Sequence, residues 1–161
     1  MFHMSVCISS ALAMCAIVAA CAPRHAATET APATAASVMP ASFVGSFVDD
    51  YDNRYTISET EWRQLPRSKH HVVRVDVAGQ YLIARNDSTN RTAPNKWMRI
   101  DWVTFEDMAP YTWGYCYSTW NAETEAAAVA ARVANRSTPR TGCNGYPFTR
   151  MKVAPPPAPA R

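Results

Sequence analysis

Histidine and aspartate could hold a metal ion, and in this chain they occur in two small groups. His70 and His71 are adjacent in a segment that alternates like a β-strand, so their side chains point to opposite faces and cannot bind one ion together. Segment 49–53, Asp-Asp-Tyr-Asp-Asn, offers oxygen ligands but lacks the mid-loop glycine and downstream glutamate of an EF-hand. A histidine pair at the start of a strand and a solvated hairpin turn explain the two groups, so we predict no metal and no cofactor.

Acid–base catalysis would require two carboxylates in one cleft. The candidates are dispersed along the chain: Asp50, Glu61, Asp76 and Asp101. The sequence contains no Gly-X-Ser-X-Gly motif, no His-Glu-X-X-His motif and no glycine-rich phosphate loop. No spacing of serine and histidine marks a nucleophile. We therefore predict a protein without enzymatic activity, with a small hydrolase that uses carboxylates as the alternative.

Tryptophan, tyrosine and arginine are the side chains that most often anchor a partner at a protein surface. The chain has five Trp residues, which is many for a small domain. The candidates for contact with a partner or ligand are Trp97, Trp113, Trp120, Tyr117 and Arg99. Filling of the core is the competing role, because one large ring buries much apolar area. We expect Trp97 and Trp120 to be the most exposed of the group.

The beginning of the chain has the composition of an export signal. Residues 5–20 carry no charge and are mostly small or apolar, and this run is shorter than the ~20 residues of a transmembrane helix. The run ends in segment 18–21, Val-Ala-Ala-Cys, which resembles a bacterial lipobox. The resemblance implies that residues 1–20 are removed and that Cys21 receives a diacylglycerol anchor. The usual Lys or Arg near the first residue is missing, and a soluble exported form or an uncleaved anchor helix are the alternatives.

The same resemblance implies a location and a pairing of the other cysteines. Ala22, rather than Asp, follows the acceptor cysteine, which implies an outer-membrane destination in a bacterium with two membranes. Cys7 and Cys15 would leave with the signal peptide, so Cys116 and Cys143 would remain as a pair. An oxidising compartment favours a disulfide between them. A metal site is the alternative, but neither cysteine has the close neighbour that zinc motifs contain.

Composition divides the chain into four segments. These are the signal peptide 1–20, the lipidated cysteine with an Ala/Thr/Pro-rich flexible tether 21–41, a β-domain 42–152 and a Pro-rich tail 153–161. The net charge of +3 is small and evenly mixed, so it gives no indication of nucleic-acid binding.

Alternating apolar and polar residues dominate the β-domain. The predicted strands are 43–48, 54–58, 71–76, 80–85, 97–103, 111–118 and a short piece at 146–148. A three-residue loop with a left-handed Gly79 would place Val75 opposite Tyr81 and Val73 opposite Ile83 on the core face. The pairs Arg74/Asp76 and Arg99/Asp101 would then be charge pairs on the wet face of the sheet.

An Ala-rich helix is predicted over 122–134, with Asn121 as its N-cap. The fold class that follows is mainly β: an antiparallel meander of six or seven strands that curls into a small barrel, with one C-terminal helix. A flatter sheet covered by the helix is the competitor. For function we predict a membrane-anchored lipoprotein of the cell envelope that binds a protein partner, a membrane complex or a hydrophobic ligand. A hydrolase and an inhibitor of a lysozyme-like enzyme are the alternatives.

Overall fold

The computed structural model describes residues 38–156 as a closed antiparallel barrel of eight strands. The signal peptide, Cys21, the tether up to residue 37 and residues 157–161 lie outside the described residues. The strands are β1 (Gly45–Asp49), β2 (Arg54–Ile57), β3 (Glu61–Leu65), β4 (Ser68–Asp76), β5 (Tyr81–Asn86), β6 (Trp97–Thr104), β7 (Trp113–Ala122) and β8 (Thr149–Val153). Each strand pairs with its neighbour in sequence, and β8 closes the barrel on β1. The predicted small barrel with one helix is therefore confirmed.

Period-two alternation places the large apolar side chains inside the barrel. In β6, Met98, Ile100 and Trp102 are almost completely buried and belong to one core cluster with residues of the other strands. Met39 and Phe43, which precede β1 around a single 3-10 turn at Ala41–Phe43, complete that cluster. The folded domain therefore includes Met39 at its start and extends to the end of β8. None of the described helical segments has the length and hydropathy that a membrane crossing requires.

Two of the eight strands are absent from the sequence prediction. Strand β3 reads Glu-Trp-Arg-Gln-Leu and buries only Trp62, while β8 reads Thr-Arg-Met-Lys-Val and buries only Met151. A single buried residue in five is too weak a pattern to distinguish a strand from a loop. Pairing with two neighbours supplies what the pattern lacks, because the ladder satisfies the backbone groups whatever the side chains are.

The β4–β5 hairpin has a register that differs by one residue from the prediction. Asp76 pairs with Tyr81 and Val75 with Leu82, so four residues form the turn, and Gln80 rather than Gly79 takes the positive φ of 51°. A bulge after Val72 then restores the predicted register, because Val72 pairs with Ala84, and it leaves Val73 outside the ladder and half exposed. Val75 lies in the core as predicted, but Val73, Tyr81 and Ile83 do not belong to the core cluster. Leu82 and Ala84 lie inside instead.

A long excursion, 123–148, connects β7 to β8 and packs on the outside of β5, β6 and β7. Its helix α1 spans only Glu125–Val129, because β7 continues to Ala122 through the predicted N-cap, Asn121. The actual N-cap is Thr124, whose Oγ1 accepts a hydrogen bond from the Ala127 N–H at 3.1 Å. The predicted helix 122–134 is thus too long at both ends.

The excursion buries two charged side chains, Arg99 and Asp101, that were predicted to be exposed to solvent. Asp101 lies on the outer face of β6 with 0% exposure, and both of its oxygens accept hydrogen bonds from Arg99 at 2.9 and 3.0 Å. Arg136 of the excursion donates to the same carboxylate at 2.8 Å, and the Ser118 hydroxyl also donates to it. We call Arg99, Asp101, Ser118 and Arg136 the outer cluster. The prediction of a wet Arg99/Asp101 pair is wrong because the chain folds back over that face.

The other predicted charge pair is also rearranged. Arg74 forms an ion pair with Glu125 of α1 at 2.8 Å rather than with its strand neighbour. The Asp76 carboxylate instead accepts the Gly79 N–H at 2.6 Å inside the hairpin turn.

A disulfide between Cys116 of β7 and Cys143 of the excursion holds the two layers together, with an S–S distance of 2.07 Å. The pair lies in a small apolar cluster with Ala134 and Phe148 outside the barrel. Because this bond and the outer cluster join the same two layers, the excursion is fixed to the barrel wall at several separate points.

Candidate functional site

The two ends of the barrel differ. In an up-and-down barrel the connections after β1, β3 and β5 lie at the same end as the last residues of β7, and we call this the open end. The opposite end is closed, because Phe43 packs against Trp102 and Trp113 with ring centroids 5.3 and 4.8 Å apart. The interior between the ends is filled by rings: Trp62 contacts Trp113 at 6.0 Å and Tyr115 at 5.1 Å. The barrel is therefore packed inside, and space for a ligand lies above the packing.

A cleft of about 890 Å³ opens at that end, and we call it the mouth cleft. It is lined by Gln64, Pro66, Arg67, Ser68, His70, Asn86, Asn90, Arg91, Thr92, Met98, Tyr117 and Trp120. These residues come from the β3–β4 turn, the β5–β6 loop and the parts of β3 to β7 at the open end. Its size is in the range of small-molecule sites, which combine an apolar surface with a few placed polar groups.

The loop that forms one wall of the mouth cleft is held by buried amides. The Asn90 side chain accepts the Lys69 N–H at 3.0 Å and donates to the Lys69 carbonyl at 2.7 Å. Asn86 donates to the carbonyls of Ala93 and Trp120, each at 2.9 Å. The position of Trp120 at the rim is consequently tied to the end of β5, and the wall is preorganised.

His70 lies beneath this wall in a chain of three hydrogen-bonded side chains. Its Nδ1 is 2.7 Å from the Asn86 Oδ1, which can only accept, so Nδ1 carries the proton. Its Nε2 then accepts from the Ser68 hydroxyl at 3.2 Å. Burial lowers the pKa of His70 below its usual value, so the ring is neutral at neutral pH. The arrangement contains a hydroxyl, a base and an orienting amide in the order that nucleophilic catalysis uses.

Tyr117 is the polar group of the cleft that lacks a partner. Its hydroxyl oxygen is buried next to Tyr115 and Trp62 and, like the indole nitrogens of Trp62 and Trp113, makes no hydrogen bond of normal geometry with any described residue. Burial, followed by the nearby Tyr115, raises the pKa of Tyr117 well above its usual value, so the group stays protonated and able to donate. We call Ser68, His70, Asn86 and Tyr117 the mouth cluster. An unpaired buried hydroxyl costs stability, which makes it a marker of an absent partner.

Two other tyrosines of the barrel interior, Tyr55 and Tyr115, have hydroxyl groups with hydrogen-bond partners. Tyr55 donates to the buried Asp49 carboxylate at 2.9 Å, and its oxygen is 2.8 Å from the Tyr115 hydroxyl. Asp49 also accepts the N–H groups of Tyr51 and Asn53, which makes the acidic β1–β2 turn partly buried rather than fully solvated. The Tyr117 ring continues this column, 4.9 Å from the ring of Tyr115, and Tyr117 is the member of the column that lines the mouth cleft.

The charge of the mouth cleft is positive. Arg67 and Arg91 are exposed at its rim, and no described carboxylate lies within ion-pair distance of either guanidinium. No aspartate or glutamate is among the residues that line the cleft. The nearby Asp87 is already engaged by Lys69 and His71, both at 2.8 Å, and these contacts with Thr89 lower the pKa of its carboxyl. The guanidinium groups of Arg67 and Arg91 are therefore available to bind an anion.

A second cleft of about 590 Å³ lies beside the upper part of β7, against the turn that follows Cys143. Tyr117 and Trp120 line this side cleft as well, together with the exposed Tyr146 and Tyr51. It contains no carboxylate among its lining residues and no buried polar atom besides the shared Tyr117 hydroxyl that lacks a partner. The mouth cleft is accordingly the better-equipped site.

The structure separates the five predicted contact residues. Trp120 is 48% exposed at the mouth cleft and Tyr117 lies in its floor, so these two come together. Trp97 is partly buried, with Arg85 6.0 Å from its ring. Trp113 is enclosed in the core, and Arg99 is buried in the outer cluster with its guanidinium 3.8 Å from the Tyr81 ring. Neither of these last two reaches a surface where a partner could bind.

Sequence reasoning missed Ser68, His70 as a buried polar residue, Asn86 and the two rim arginines. Ser68 and His70 are two residues apart on a strand, so a shared inner face was available from the pattern. Asn86 was not, because the register of β4 with β5 places it opposite His70. Among residues 38–156 no group of three or more His, Cys, Asp and Glu side chains could hold a metal.

No protein-family model, curated protein or solved structure matches this chain.

Proposed function

We propose that this chain is a non-catalytic binding module of the cell envelope, anchored through Cys21, and that the mouth cleft is where it binds. The observation that carries the proposal is the Tyr117 hydroxyl, a buried donor without a partner in the floor of an open cleft. Folding leaves such a group unpaired at a cost of about 1–3 kcal/mol, which a ligand acceptor would remove.

The surroundings support binding rather than a purely structural role. The mouth cleft has a rigid wall fixed by Asn86 and Asn90, an exposed aromatic ring at Trp120 and a buried polar floor. These are the ingredients of a preformed small-molecule site. A protein partner that inserts one side chain would use the same groups, with Trp120 as the anchor at the rim.

Calorimetry and Trp fluorescence of the full chain, purified in detergent, test the proposal. The probes are glucose, glucuronic acid, glycine, a short peptide and a fatty acid. We expect at least one to bind, and we expect Trp120→Ala to weaken that binding by tenfold or more. Tyr146→Phe, which alters only the side cleft, is the matched control. Absence of binding by every probe, or equal binding by Trp120→Ala, contradicts a site at the mouth.

The anchor is tested separately by intact mass. In a bacterial host we expect the mature chain to begin at Cys21 and to carry the added mass of the acylated cysteine. Cys21→Ser should lack that mass and leave the membrane fraction. An unmodified wild-type chain in the soluble fraction contradicts the anchor but leaves the cleft unaffected. Separation of inner and outer membranes then tests the outer-membrane location.

A second candidate function rests on the Ser68–His70–Asn86 chain. If Ser68 were a nucleophile, its oxygen would attack an ester carbonyl while His70 Nε2 took the hydroxyl proton and returned it to the leaving alcohol. Water would then release the acid from the acyl-serine. A fluorophosphonate probe tests this, since it should label the wild type and not Ser68→Ala. Equal labelling of the two, or none, excludes the serine. The carboxylate hydrolase has less support, because neither cleft is lined by an aspartate or glutamate.

A further inference from the structure

The charge of the mouth cleft narrows the class of ligand. Arg67 and Arg91 come from different connections, the β3–β4 turn and the β5–β6 loop, yet both line this cleft. Five other arginines of the described chain have acidic partners: Arg63 with Glu61, Arg74 with Glu125, Arg99 and Arg136 with Asp101, and Arg150 with Asp50. The remaining four have no acidic partner but line neither cleft: Arg54, Arg85, Arg132 and Arg140. Two guanidinium groups without counter-ions at the rim of a cleft that contains no carboxylate favour an anion. Guanidinium binds carboxylate and phosphate oxygens in a planar, two-bonded geometry.

The remaining groups describe what the anion is attached to. Trp120 presents an exposed ring at the rim, and a flat apolar face of this kind packs against the C–H face of a sugar ring or against another aromatic ring. Gln64 and Thr92 line the same cleft, and so does Tyr117, whose buried hydroxyl has no acceptor for its hydrogen. Amide and hydroxyl side chains around an aromatic ring suit a ligand with many hydroxyl groups. A fatty acid would leave these polar groups unpaired.

We propose that the mouth cleft binds an acidic sugar, with its carboxylate or phosphate at Arg67 and Arg91, its ring on Trp120 and one ring oxygen or hydroxyl accepting from Tyr117. This inference rests on the proposed function, because it assigns a ligand to the same cleft. Carboxylate and phosphate share the chemistry that the arginines recognise, so the experiment must separate them.

Calorimetry of the full chain with four probes makes that separation. Glucuronic acid carries a ring and a carboxylate, glucose 6-phosphate a ring and a phosphate, glucose the ring alone, and inorganic phosphate the anion alone. We expect at least one acidic sugar to bind tenfold or more tightly than glucose and than phosphate. Binding should weaken with added salt, because exposed ion pairs are screened. Whichever acidic sugar binds better identifies the anionic group.

Variants assign the contacts. The double variant Arg67→Ala/Arg91→Ala should lose tenfold or more in affinity for the acidic sugar and little for glucose. Arg132→Ala, an exposed arginine that lines neither cleft, should change nothing. Tyr117→Phe should lower affinity several-fold without lowering the thermal midpoint, which shows that the fold is intact.

The outcomes distinguish this inference from the function on which it rests. If glucose binds as tightly as the acidic sugars, or if the double arginine variant binds normally, the acidic-sugar assignment is overturned while the cleft remains a binding site. If only the peptide or the fatty acid binds, and Trp120→Ala abolishes it, the assignment is again overturned and the proposed function stands. If no probe binds, both are contradicted.

Discussion

The outer cluster and the mouth cluster are both buried polar groups attached to the same barrel, but they differ in completeness. In the outer cluster, the Asp101 carboxylate receives hydrogen bonds from Arg99, Arg136 and Ser118. Arg136 uses its remaining donors on the carbonyls of Trp102, Gly79 and Gln80 at 2.7–2.8 Å. In the mouth cluster, the buried Tyr117 hydroxyl has no described partner of normal geometry, and the residue lines an open cleft.

The difference indicates two roles. A buried network whose members all have partners rigidifies the structure and leaves no donor for a ligand. A network with an unpaired member next to open space is incomplete without something from outside. Composition alone does not distinguish them, since both contain charged or titratable groups near a strand. Satisfaction of hydrogen bonds separates the outer cluster, which holds the excursion, from the mouth cluster, which is a candidate site.

The largest expected effect comes from breaking the outer cluster. Asp101→Asn removes the charge that compensates Arg99 and Arg136, and an uncompensated buried charge destabilises a protein by about 3–5 kcal/mol. Urea denaturation followed by Trp fluorescence measures the change. Asp107→Asn, on an exposed part of the β6–β7 connection, is the control and should be neutral. A loss below about 1 kcal/mol for Asp101→Asn would contradict a structural role for the cluster.

Removal of the disulfide comes next. Cys116 and Cys143 are separated by 27 positions, and opening a loop of this length lowers the free energy of unfolding by about 3–4 kcal/mol. The double variant Cys116→Ser/Cys143→Ser is compared with the wild type in urea, with and without dithiothreitol. The reductant should lower the stability of the wild type towards that of the variant. If the two proteins have equal stability under oxidising conditions, the bond contributes nothing and the excursion is held by packing alone.

A pair of tyrosine variants compares the Tyr55 hydroxyl, which has hydrogen-bond partners, with the Tyr117 hydroxyl, which has none. Tyr55→Phe removes one donor from the Asp49 carboxylate, which keeps its bonds from Tyr51 and Asn53, and it removes the hydroxyl that bonds to Tyr115, so we expect a loss of about 1–3 kcal/mol. Tyr117→Phe removes a buried group that has no partner, so stability should be unchanged or slightly higher. Thermal and urea denaturation of both variants provide the test. Equal destabilisation by the two would mean that Tyr117 has a structural partner, and the mouth cluster would then resemble the outer one.

The smallest effect concerns pH and the loop beside the mouth cleft. The Asp87 carboxylate, held by Lys69, Thr89 and His71, has a pKa below its ordinary value of about 4. A lowered folded-state pKa stabilises the protein above the unfolded-state pKa, and this stabilisation is lost as the pH falls below it. Asp87→Asn should therefore be less stable than the wild type at pH 5, and the difference should shrink towards pH 2. A difference that stays constant over this range would show that the charge is unimportant.

Parts of both regions could be predicted from the sequence. The alternation of Met98, Ile100 and Trp102 correctly indicates which face of β6 is inside, and the positions of Ser68 and His70 indicate that they share a face. The pattern did not predict that the opposite face of β6 is also buried. Asp101 and Arg136 are 35 positions apart in the chain, and the sequence around either residue contains no pattern that predicts their contact.

The mouth cluster was beyond prediction for a related reason. His70 meets Asn86 only because a bulge after Val72 and the register of β4 with β5 place them side by side. Tyr117 joins them from β7, which is separated from β5 by strand β6. A register that shifts by one residue moves every side chain to the other face, so a cluster assembled from three strands depends on all the intervening registers at once.

The sequence by itself determined an antiparallel meander and the inner face of most of its strands, because a two-residue period of large apolar side chains marks one face of each strand for the core. It favoured a barrel over a flatter sheet, and the structure shows that the sheet closes. It also limited the cysteines of the β-domain to a single pair. Only the tertiary structure decided which outer faces are covered, which polar groups find partners and where a cleft remains. These features depend on the return of the 123–148 excursion and on strand registers, and both are set by contacts between residues far apart in the chain.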